Sequence, residues 1–281
     1  MTRLHPAALC MITVVATVGH AQAARPILAG PNGPAPRIVV NDNRRSAGTL
    51  HAGVLTLRLE ARLGDWHPDG EAAMGAIVPA FAEAGRPARI PGPLIRVPAG
   101  TETAEQPFYA FALQTNGAEP PPDSGLRLGP PIVVTRGEPV RITVVNALDK
   151  PTTVHWHGIE LESYYDGVAG FSGAAQRLAP VIAPHDSFVA RFTPPRAGTF
   201  IYHTHVDETV QQLAGLAGPL IVLEPGSALD SATDHTILIT TPQSWEDELR
   251  SVLVNGRASP APLTVHAGIA QRLRFINMTT R

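Results

Sequence analysis

Four of the eleven histidines in this 281-residue sequence fall in two His-x-His pairs, His155-Trp156-His157 and His203-Thr204-His205. Each pair closes a short run of β-prone residues. On a strand, residues i and i+2 project from the same face, roughly 6–7 Å apart along the chain. Two imidazoles at that spacing can converge on one metal or flank two neighbouring ones. Neutral imidazole suits copper, zinc, iron and nickel, and divalent affinities generally peak at copper. One such pair in a histidine-rich chain can arise by chance. Two pairs on adjacent strands would surround a common space with four nitrogens. Trp156 faces away from its pair and serves packing, and Phe200, Tyr202 and Thr204 lie opposite to Ile201, His203 and His205. His51, His67, His185, His235 and His266 occupy strand, turn or linker contexts and read as surface or packing residues.

The elements that must position these imidazoles are strands. Pro (28) and Gly (25) are abundant, and the hydrophobic residues, 44% of the chain, cluster in short Val/Ile/Leu runs. That composition suits many short strands joined by tight turns around a packed core and disfavours long helices. The segment 71–84 is Ala-rich, but Gly75 and Pro79 argue against a long helix there. Strands are expected at Ile132–Val134, Val140–Val145, Thr152–Trp156, Ser187–Phe192, Phe200–His205 and Leu220–Leu223, together forming a β-sandwich. The net charge of −2, with both signs interspersed, gives no footprint for nucleic acid or a membrane surface.

Residues 129–146 (GPPIVVTRGEPVRITVVN) and 260–277 (PAPLTVHAGIAQRLRFIN) repeat one pattern. From Pro131, a Gly, an Arg and an Asn follow at Gly137, Arg141 and Asn146; from Pro262, the same offsets reach Gly268, Arg272 and Asn277. A third copy begins at 92–100 (GPLIRVPAG) and breaks off near Thr101–Pro107. Three copies of one β unit are inferred. Residues 24–113 are read as a partial domain, 126–225 as a complete one, and 233–281 as the opening of a further one, with linkers at 114–128 and 225–234. The chain therefore reads as a fragment or a shortened relative of something longer. Residues 1–23 read as a secretory signal: Arg3, the apolar run Ala7–Val18 (too short to span a bilayer), then Ala21-Gln22-Ala23 as a cleavage site. Export to the periplasm or the exterior is expected, with no membrane span in the mature chain. Cys10, the only cysteine, lies within that signal, so the mature chain would carry no thiol.

The stretch VHWHGIE (154–160), with PPRAGTFIYHTH (194–205), GPLIVLEP (218–225) and the Asp-Gly loop YYDGVAG (164–170), resembles the first pair of copper motifs of the multicopper oxidases, the laccase-like enzymes. The resemblance is strong over 129–225, moderate over 233–281 and weak over 24–113. It implies an all-β protein of cupredoxin-like Greek-key sandwich domains, one complete and two partial. It implies that His155 binds a type 2 copper, that His157, His203 and His205 bind a coupled type 3 pair, and that Asp166 helps deliver protons during dioxygen reduction. The residue itself also fits a plain turn position before Gly167. Two departures stand out. The family's cluster needs a second set of His-x-His motifs, and its type 1 site needs a cysteine thiolate; the mature chain has neither. The expectation is an oxidoreductase that couples a reducing substrate to dioxygen, its cluster completed by a missing domain or another chain. A non-catalytic exported copper-binding module is the alternative, and a β-scaffold zinc hydrolase or lyase, with three His and a water, a more distant one.

Overall fold

A computed structural model describes residues 29–30, 33–34, 37–40, 49–66, 76–82, 110–111, 126–212, 215–240, 252–257, 260 and 262–279. The signal-like residues 1–23, the break at Thr101–Pro107, most of the first linker, and His67 lie outside them. Nearly every described element is a strand; one 3₁₀ turn and one four-residue helix are the exceptions among the described residues. The Ala-rich segment forms a strand over Ala76–Ala82.

Two sheets face each other. In the first, β1 (Val54–Trp66) runs parallel to β3 (Val140–Asn146), which pairs antiparallel with β5 (Ser187–Phe192). In the second, β4 (His155–His157) pairs antiparallel with β6 (Gly198–His203), β6 with β7 (Ala217–Leu223), and β7 runs parallel to β2 (Ile132–Thr135). Alternating residues fill the space between: Leu57, Leu59, Ile142 and Val144 from one sheet, Ile132, Val134, Trp156, Tyr202 and Leu220 from the other. Burying a side chain of the size of Leu220 or Ile132 contributes about 1.5–3 kcal/mol. β7 is buried along its whole length, which accounts for its unbroken apolar sequence AGPLIVL.

The sequence repeat has a conformational counterpart. β8 (Asp234–Thr240) lies parallel to β10 (Arg272–Asn277), as β1 does to β3, with β9 (Leu253–Val254) on the other edge of β8. Gly137 and Gly268 both have positive φ, 80° and 81°. Asn146 and Asn277 each accept, on Oδ1, the backbone N–H two residues on, at 3.0 Å. The residue after each Asn then donates to the parallel neighbour: Ala147 to Ala61 O (2.9 Å) and Met278 to Ile239 O (2.8 Å). The second copy differs before its Gly, since residues 262–267 form no strand.

The 234–279 region is joined to the sandwich by apolar and polar contacts. Leu238, Ile276 and Met278 belong to the same buried cluster as the sandwich core. Arg274 donates through Nε (2.6 Å) and Nη2 (2.7 Å) to the Asp234 carboxylate, and through Nη1 (2.7 Å) to Thr199 Oγ1 on β6. Both charged side chains are less than a tenth exposed.

Candidate metal centre

β4 and β6 carry the metal-binding residue types, and their register decides which side chains meet. His155 lies directly opposite His203, Trp156 opposite Tyr202, and His157 opposite Ile201. Alternation then sends Trp156 and Tyr202 into the core, with ring centroids 6.0 Å apart, and the imidazoles to the other face. The ring of His155 lies 5.2 Å from His157, 5.4 Å from His203 and 5.4 Å from His205. The four sequence-predicted histidines therefore form one cluster. Ligand nitrogens of His155, His157 and His203 all lie within 4.8 Å of one another.

The first motif is itself a three-residue strand and the second runs past the end of its strand, two differences from the expected bounds. The strand expected over Thr152–Trp156 is β4, His155–His157. Thr152 is instead held in an isolated bridge with Ile182. β6 ends at His203, before the expected His205. There Thr204 N–H bonds Leu216 O (3.0 Å) and His205 N–H bonds Thr153 Oγ1 (2.9 Å), which turns the chain out of the ladder. His203 and His205 still stay 5.9 Å apart, ring to ring.

Three of the four rings have one nitrogen committed to the protein. His155 Nδ1 donates to Asp166 O (2.8 Å), His203 Nδ1 to Thr204 O (2.7 Å), and His205 Nδ1 meets Glu208 Oε1 at 2.9 Å. Carbonyl and carboxylate oxygens only accept, so Nδ1 carries the proton and the lone pair that can ligate lies on Nε2. His157 is reversed: its Nδ1 lies 3.3 Å from His203 Nε2. Burial, reinforced by the neighbouring imidazoles, lowers the His203 pKa to about 4. Burial also lowers that of His155, partly offset by Asp166. These two rings are neutral at pH 7, which is the state a metal ligand needs. A compact set of imidazole donors fits copper or zinc.

Asp166 comes against His155 because of the turn that follows it. Its Oδ1 is 3.3 Å from His155 Nδ1, and its Oδ2 accepts from Ser172 Oγ at 2.8 Å. Gly167 has φ +87°, and a Cβ there would overlap Val154 O. Gly167→Ala is therefore expected to cost about 2 kcal/mol or more, read as a lower denaturation midpoint than wild type; an unchanged midpoint would refute this tight approach.

The sequence reading missed the residues behind the ligands. Gln211 is buried; its Oε1 accepts from Thr152 Oγ1 (2.7 Å) and Thr204 Oγ1 (3.0 Å), and its Nε2 donates to Pro151 O (2.8 Å). With Thr153, Ser172 and Glu208, it ties both motif loops together. The polar run VDETVQQ (206–212) directly after a ligand was the available signal.

The sequence model of the multicopper oxidase family matches residues 124–227. Over 122 residues the chain is 35% identical to a copper resistance protein A homolog of Pseudomonas syringae pv. tomato, covering 43% of this chain and 19% of that protein. Over 151 residues it is 35% identical to laccase-5 of Trametes versicolor, covering 47% of this chain and 28% of that protein. The crystal structure of a multi-copper oxidase from Pseudomonas thermotolerans superimposes with a TM-score of 0.53 at 21% identity, covering 80% of this chain and 47% of that one. That likeness carries the fold: all-β and cupredoxin-like, as expected from the sequence. The chain spans less than a third of the length of these two curated relatives.

Proposed function

We propose that this chain, whose residues 124–227 match the sequence model of the multicopper oxidase family, holds copper for the oxidation of a reducing substrate by dioxygen, with water as product. His155 would hold a type 2 copper, and His157, His203 and His205 a type 3 pair. The observation that carries this reading is the convergence of four imidazoles, three with Nδ1 held by protein acceptors and the lone pair therefore on Nε2. Bound copper supplies the one-electron steps and the binding of dioxygen. The chain's own residues supply the rest. The β4–β6 register fixes the spacing of the ligands, and burial keeps His155 and His203 deprotonated. Asp166, with one oxygen beside His155 and the other on Ser172, would help deliver protons near the type 2 position.

The remaining ligands of a trinuclear cluster, and the thiolate of a type 1 site, would come from a further domain or another chain, since Cys10 is the only cysteine here. The signal-like residues 1–23 support export as the setting. No helix among the described residues is long and apolar enough to cross a membrane.

Copper titration of the chain, following metal content with visible and EPR spectra, tests the reading. Bound copper without an intense blue band is expected, and its loss in His155→Ala and His203→Ala is expected with it. Failure to bind copper, or tighter retention of zinc with hydrolytic activity, would overturn it.

A further inference from the structure

The three held imidazoles are not held alike. His155 and His203 donate to main-chain carbonyls, which the fold fixes. His205 relies on a side chain, the Glu208 carboxylate, at 2.9 Å. That contact is built by the turn after the motif. Asp207 takes a left-handed conformation, φ 48°, which reverses the chain so that Glu208 returns towards the ring three residues before it. A non-glycine residue in that region is strained and persists only where its surroundings hold it. Here they do: Gln211 N–H bonds Asp207 O at 2.7 Å, and the buried Gln211 side chain is tied to Thr152, Thr204 and Pro151. The turn is anchored from inside, while Glu208 itself stands 45% exposed at its rim.

We infer that Glu208 is a positioning residue that fixes the tautomer and ring orientation of His205, and that His205 is thereby the one ligand of the cluster whose grip on metal depends on a solvent-exposed carboxylate. The second part rests on the copper reading above; the first does not. A carboxylate behind a ligating histidine orients the ring and raises its basicity, and loss of such a partner typically costs roughly 10–100-fold in metal affinity. Glu208→Gln keeps an oxygen acceptor and removes the charge; Glu208→Ala removes both.

Two readouts separate the two parts. In metal-free protein, ¹⁵N NMR of the His205 ring should show Nδ1–H in wild type and Glu208→Gln, and a shift towards Nε2–H in Glu208→Ala. An unchanged tautomer in Glu208→Ala overturns the positioning role, whether or not copper binds. In the copper-loaded chain, Glu208→Ala should weaken the affinity of one copper about 10–100-fold, read by copper titration, with Glu208→Gln close to wild type. Equal affinity in all three proteins overturns the dependence of the metal on Glu208. Copper binding to none of them, wild type included, instead sinks the copper reading and with it this second part.

Discussion

Acidifying the metal-free protein from pH 6.5 to about 4 will remove roughly 3 kcal/mol of folding stability through His203 alone. The ring is buried between its strand and the other imidazoles, and its pKa falls from 6.5 to about 4. In the unfolded chain the same ring takes up a proton near pH 6.5. Between those two values the unfolded state binds more protons than the native state, so stability rises with pH across the window and is lost as pH falls through it. His155, lowered for the same reason, adds to the effect in the same direction. Urea denaturation of wild type and His203→Gln at a series of pH values checks this. The two curves should diverge between pH 6.5 and 4, with the wild type steeper. Parallel curves would mean that His203 is hydrated and protonated as in a peptide. Copper held through His203 should stay bound across that window and be lost only as pH falls through about 4, where the native ring takes up its proton.

Asp234→Ala will cost about 3–5 kcal/mol, the usual penalty for stranding one charge of a buried pair. Arg274 would keep Thr199 Oγ1 but lose both bonds to the carboxylate. The double replacement Asp234→Leu with Arg274→Met should recover most of that loss, since burying apolar groups in place of an ion pair is often neutral or better. Chemical denaturation of the three proteins decides it. A single-mutant cost below about 1 kcal/mol would put the pair in the class of surface bridges. Thr199 lies on β6, the strand that ends at His203, so copper binding of the single mutant is a second readout of how firmly that strand is held.

What the sequence disclosed follows from how local each signal is. Ser187–Phe192 and the start of Val140–Asn146 carry their alternation in consecutive residues, and both appear at the expected positions. The His-x-His pairs were legible because i and i+2 share a face; that His155 and His203 would be direct partners was not, since register is set across strands. The repeat at Asn146 and Asn277 was visible as letters, and its meaning, a shared turn-closing bond, emerges only in the folded chain. The parallel pairing of Val54–Trp66 with Val140–Asn146 left no mark in either segment, because parallel partners are joined by long connections. Glu208 and Gln211 sit in a single helical turn, too short for a 3.6-residue period to register.

That parallel pairing bears on how this protein can be cut. Seven consecutive residues of Val140–Asn146 are matched to 55–61, a segment far outside the 124–227 span that family comparison delimits. A gene fragment trimmed to that span would leave the strand's amides and carbonyls facing water along a whole edge, open to capture by another copy. It would also remove Leu57 and Leu59 from one side of the core, and Leu238, Ile276 and Met278 from its margin. The boundaries of inherited likeness and the boundaries of autonomous folding are different objects in this chain, and an expression design that respects the second must begin upstream of Val54 and reach past Met278.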